Sequence, residues 1–94
     1  MMSEAEFKHR RGLLMGFFAD AGAPRLNAID GQYPMIEMLV VSMHEEGRKT
    51  TRERRDYILR GFDSEFDYML EHDEWETDGF PEAVEWFRSD AALK

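Results

Sequence analysis

Asp63, Asp67 and Glu71 stand four residues apart, a spacing that stacks three carboxylates on one face of a helix. Such a ladder suits two chemistries: attraction of a basic partner surface, or oxygen coordination of a hard cation such as calcium or magnesium. The second lacks its loop, since no calcium-binding spacing with its turn glycine occurs in the chain. A solvated acidic face that keeps a small domain soluble needs no ligand at all. Glu74 extends the ladder, and Asp73, Glu76 and Asp78 follow it. Trp75 and Trp86 bracket this acidic stretch, where each is either an anchor for a partner protein or a core filler. The candidate partner-binding set is therefore Asp63, Asp67, Glu71 and Glu74, with Trp75 or Trp86 as the apolar anchor.

A cluster of opposite sign lies upstream. Arg48, Lys49, Arg52, Arg54 and Arg55 surround the expected start of the same helix, with Glu53 and Asp56 interspersed. Cations at a helix N-terminus oppose its dipole, so they must either reach away to carboxylates or share an anion with the free amides. Pairing with the acidic back half, within one chain or across a homodimer, is the expected use. The alternative is a nucleic-acid or anionic-ligand site built from Arg48, Lys49, Arg52 and Arg55.

Catalytic and metal-binding patterns are missing. There is no cysteine, hence no thiol nucleophile, thiolate site or disulfide. His9, His44 and His72 fall in three different predicted helices, so no nucleophilic triad is indicated. Glu6-x-x-His9 is a single copy of a pair that di-metal bundles use twice with two further Glu. No phosphate-cradling loop, zinc spacing or dinucleotide fingerprint occurs. A non-enzyme without metal or cofactor is expected. Arg11-Gly12-Leu13-Leu14 resembles the start of the Arg-Gly-x-x-Glu motif on the first helix of the small helical factors that assist flavin attachment to succinate dehydrogenase. Met15 stands where that family carries Glu, and the chain is not assigned to it.

The 94 residues, 43% of them hydrophobic, suffice for one domain with a modest core. The formal charge of −8 is unevenly spread. Through Arg60, ten Lys and Arg balance nine Asp and Glu, whereas from Gly61 only Arg88 and Lys94 face eleven carboxylates. The back half repels phosphates and attracts basic protein surfaces. No run approaches the roughly 20 apolar residues of a membrane span, and MMSEAEFKHRR lacks a secretory core, so a cytoplasmic location is expected.

Four helices must position these groups. The first is expected over Ser3–Ala21, opened by Ser3 and Glu6 as a capping box, with Phe7, Leu14, Phe18 and Ala21 on its core face. Ala5, Gly12, Gly16 and Ala19 line its other side, suggesting either close helix contact or a tolerant exposed face. A connector over Asp20–Tyr33 follows. The second helix, Met35–Glu46, is introduced by Pro34, ended by Gly47 and apolar almost all round, which predicts a buried position. Thr50 and Glu53 form a second capping box, opening a long helix over Thr51–Glu74, roughly 36 Å in length.

Ile58, Phe62, Phe66 and Met69 are its core stripe, and Leu59, Leu70, Tyr57 and Tyr68 its flanks. Asp56 and Arg60 form an expected pair. Glu65 falls inside the apolar sector and needs an Arg partner or a place at the core margin. After the Asp78-Gly79 turn, Pro81 opens a short helix with Ala83, Val84 and Phe87 inward and Phe80 as a staple. The tail from Ser89 is expected to fray. The sequence thus predicts a single all-α domain over residues 1–94, a compact bundle of about four helices with one long central amphipathic helix. Its expected function is that of an acidic interaction module, an inhibitor, immunity or phage-type antagonist protein occluding a basic partner surface.

Overall fold

The computed structural model of the protein describes residues 3–6, 8, 9, 12, 16 and 32–94. It is all-α. Three continuous helices, α1 (Gln32–Glu46), α2 (Arg52–Glu71) and α3 (Phe80–Arg88), are followed by a 3-10 turn over Asp90–Ala92. Positions 4–6, 8, 9, 12 and 16 are also helical. No strand occurs among the described residues. The Ser3 hydroxyl accepts the Glu6 amide at 3.1 Å, as the first capping box requires. Gly12 and Gly16 are exposed, and among the described residues a Cβ at either would meet nothing within 4 Å. The core stripe of Phe7, Leu14, Phe18 and Ala21, the Arg11–Met15 motif apart from Gly12, and the connector up to Gly31 lie outside the described residues.

α1 begins three residues earlier than Met35 and is buried as its composition demands. Met35, Ile36, Leu39, Val40 and Met43 are at most 3% exposed. Its end is a Schellman motif: Gly47 takes φ +65°, its amide donates to the His44 carbonyl at 3.2 Å, and the Arg48 amide donates to Met43 at 2.9 Å. Ile58, Phe62, Phe66 and Met69 of α2 face inward as predicted. Phe80, Ala83, Val84 and Phe87 of α3 close the core. The Phe66 ring sits between those of Phe80 and Phe87, with centroids 6.2 and 6.3 Å away.

α2 departs from expectation at both ends. Thr51, not Thr50, is its N-cap and accepts the Arg54 amide at 3.2 Å. The helix stops at Glu71 rather than Glu74, leaving 20 residues, or roughly 30 Å. Asp73 causes the stop by adopting φ 53°, and the Glu74 amide then turns back to the Met69 carbonyl at 2.9 Å. This is the glycine-type C-terminal motif with Asp in the left-handed position, which Asp tolerates better than most side chains. Glu74 and Trp75 are therefore loop residues.

The tail does not fray. Thr50 donates its amide to the Ala92 carbonyl at 2.9 Å and accepts the Lys94 amide at 3.0 Å, forming a parallel bridge beside Leu93. Arg55, only 5% exposed, donates from Nη1 to the Ser89 carbonyl at 2.6 Å and more weakly to that of Phe87 at 3.4 Å. Ala92 is fully buried. A guanidinium taken out of water needs acceptors, and the backbone after α3 supplies them.

Candidate functional site

The carboxylate ladder is not free. Arg88, in the last turn of α3, places its guanidinium 2.7 Å from Asp63 Oδ1 and 2.8 Å from Asp67 Oδ1, and also donates to the Asp63 carbonyl at 3.3 Å. Partial burial lowers the Arg88 pKa, but its hydrogen bonds to Asp67 and Asp63 prevail and hold it above the ordinary value. One cation thus offsets the repulsion between two acids a helical turn apart. Asp63 and Asp67, the first two of the expected partner-facing carboxylates, join α2 to α3 within the chain. Replacing Arg88 by Met should cost about 1 kcal/mol, the range for half-exposed ion pairs, because it also restores the repulsion along the ladder. Urea unfolding of the single variant and of Arg88→Met with Asp67→Asn checks this, the second change recovering part of the loss.

The basic cluster is likewise engaged within the chain. Arg48 Nε lies 2.8 Å from Glu46 Oε2, and Arg52 is 3.5 Å from Asp90. Arg55 is spent on the tail and on Asp56 at 2.8 Å. Lys49 and Arg54 are exposed. Of the expected pairing with the acidic back half, Arg52 provides one case through Asp90, whereas Arg48 and Arg55 pair with Glu46 and Asp56 close to them in the front half. Arg60 does not meet Asp56 but lies over the Tyr57 ring, 5.7 Å from its centroid. Glu65 sits half-buried at the core margin and accepts the Ser64 hydroxyl at 2.9 Å.

The stretch after α2 faces outward. Glu71, Asp73, Glu74, Glu76 and Asp78 are all exposed, and none forms an ion pair with another described residue. Its conformation is set from below by Glu37. That carboxylate, on α1 and 7% exposed, accepts the Thr77 amide at 2.9 Å and the Glu76 amide at 3.2 Å. Among the described residues, every buried side-chain polar atom has a partner.

Between α1 and this loop lies a cleft of about 540 Å³, lined by Tyr33, Pro34, Met38, Val41 and Trp75 and edged by Glu45, Asp73, Glu74 and Glu76. Trp75 stacks on Phe80 at 5.9 Å and keeps a partly exposed face. Comparison of the chain with protein-family models, curated proteins and solved structures finds no match.

The candidate residues therefore separate into three places. Asp63 and Asp67 belong to the α2–α3 joint, and Glu71 caps the acidic stretch. Glu74 and Trp75 lie in the cleft. Trp86 is elsewhere, half-buried on α3 with its ring 5.3 Å from that of His44. Both tryptophans pack against the core, so each is at least a core filler. A second aromatic group adjoins the cleft through Tyr33, whose ring lies 5.6 Å from Tyr68, itself 4.2 Å from His72. Desolvation, with Tyr68, Glu65 and Glu74 nearby, pushes the Tyr33 phenol above its ordinary value.

Glu37 was the residue missed by the reading of the sequence. Its signal was available: it is the only charged residue between Tyr33 and Met43, in a helix otherwise suited to burial. Glu37→Gln removes the charge that strengthens two hydrogen bonds and should cost about 2 kcal/mol. Hydrogen exchange at the Glu76 and Thr77 amides should accelerate more than at α3 amides, which distinguishes a released loop from a general loss of stability.

No group of three His, Asp or Glu among the described residues is arranged to hold a metal ion, and no helix there is long and apolar enough to cross a membrane. The chemistry this surface offers is attraction and desolvation of cations, with Trp75 and Met38 as apolar contacts.

Proposed function

We propose that the chain is a non-enzymatic interaction protein that occludes a basic surface of a partner protein, as small inhibitors, immunity proteins and phage-encoded antagonists do. The comparison is by size and charge, not by descent. The observation that carries the reading is the stretch from Glu71 to Asp78, which holds five exposed carboxylates in eight residues, contains no Lys or Arg, and is fixed in shape by Glu37. Fixed charges steer encounter without an ordering cost on binding, and Trp75 beside them supplies an anchor once contact is made.

The test is affinity capture from native lysate at low and high salt, comparing the wild type with Glu71→Lys, Glu74→Lys and Glu76→Lys combined. These side chains are exposed, so the variant should keep its helical circular dichroism. The wild type should retain a basic protein at low salt and release it as salt rises, and the variant should lose at least about tenfold in retention. Equal retention of that protein by the reversed variant would exclude the reading.

A further inference from the structure

The cleft has a shape that restricts what can fill it. Pro34, Met38, Val41 and Glu45 follow one another at intervals of three and four residues, so they align along one face of α1 over roughly 16 Å. Most of α1 is covered by α2 and α3, yet Met38 on this face is 36% exposed. The opposite wall is the loop pinned by Glu37, which presents Trp75 between Glu74 and Glu76. The apolar floor is therefore bounded by carboxylates, Glu45 at its far end on the helix and Glu74 and Glu76 along the loop. Among the described residues that line it there is no Lys, Arg or His.

We infer that this cleft receives an amphipathic basic segment of a partner protein, with one or two apolar side chains on Met38 and Trp75 and flanking Lys or Arg meeting Glu45, Glu74 and Glu76. The inference rests on the function proposed above and names the partner's chemistry at that surface. A purely apolar occupant would desolvate the carboxylates without compensating them, and a nucleic acid would be repelled by them. A purely basic occupant would leave the floor unused. The length of the floor suits a helix of roughly eleven residues or an extended strand of roughly five. Met38, flexible and polarizable, adapts to either apolar side chain.

The test uses the whole chain, immobilised, to select random displayed peptides of about a dozen residues, long enough to span the floor as a helix. Selection should enrich peptides with one or two large apolar residues flanked by Lys or Arg. An enriched peptide, synthesised, should perturb Trp75 fluorescence in a Trp86→Phe background and bind less tightly as salt rises. Met38→Glu and Glu74→Lys, both at exposed positions, should each weaken it at least about tenfold, the scale of one lost anchor.

Enrichment of acidic or uncharged peptides, no enrichment, or equal binding to the Met38→Glu variant would overturn the inference. Self-association abolished by Met38→Glu would also overturn it, by making a second copy of the chain the occupant. If the lysate partner is lost with the triple charge reversal but kept with Met38→Glu, the proposed function stands and the cleft assignment fails.

Discussion

Replacing Arg55 by Met should destabilise the protein by about 3 kcal/mol and lower its melting midpoint by roughly 15 °C. The guanidinium is buried, so its removal leaves the Ser89 and Phe87 carbonyls without their donor in a place water reaches poorly. Methionine fills the volume of the stem but donates nothing. The tail then keeps its two backbone bonds to Thr50, the exposed Arg52–Asp90 pair and the buried Ala92, and exchange at the Leu93 and Lys94 amides should rise ahead of global unfolding. Arg55→Lys should fall between the two, since a single ammonium cannot reproduce the planar fork that serves two carbonyls and Asp56. Thermal melts with hydrogen exchange check this. An unchanged melt would mean that the tail is held without Arg55.

Phe66→Ala should be more damaging still, at about 4 kcal/mol. The ring is fully buried in the C-terminal half of α2 and touches aromatic partners at both ends of α3, so truncation opens a cavity that neither neighbour can fill without leaving its own packing. A domain of this size holds only about 5–10 kcal/mol in total, and the variant should unfold at much lower urea. Phe66→Leu, which keeps most of the volume, should cost about 1 kcal/mol. Equal midpoints for the two variants would place Phe66 outside the cooperative core.

These two residues differ in how far the sequence announces them. Phe66 follows from periodicity: it stands four residues after Phe62 and three before Met69, and a polar face opposes it. The same signal placed the inward residues of α1 and α3, with Gly47 marking one boundary and Gly79 with Pro81 another. Arg55 could not be read in that way. A single Arg in a basic run looks solvated, and its burial is decided by backbone carbonyls more than thirty residues away, which carry no side-chain pattern. The docked tail was hidden for the same reason, because its partner is the main chain of Thr50.

The acidic site was half legible. Charge asymmetry pointed to the region, but the assignment of free and paired carboxylates depended on Arg88, whose reach across to α2 follows only from the packing of α3. The end of α2 was obscured because Asp73 occupies a position where glycine would have marked the stop. Glu37 illustrates the remaining case: a buried charge is visible in sequence as an anomaly, while its ligands, the amides of Glu76 and Thr77, are not.

On the proposed function, a basic partner meets the acidic stretch after α2 and the cleft beside it. The most direct measurement is an amide and indole chemical-shift map of the labelled protein titrated with the partner recovered by capture. The account predicts the largest changes at residues 71–78, at the Trp75 indole and at Met38, with residues 48–55 unaffected. Changes concentrated at Arg48, Lys49, Arg52 and Arg54, with the Trp75 indole unmoved, would contradict it.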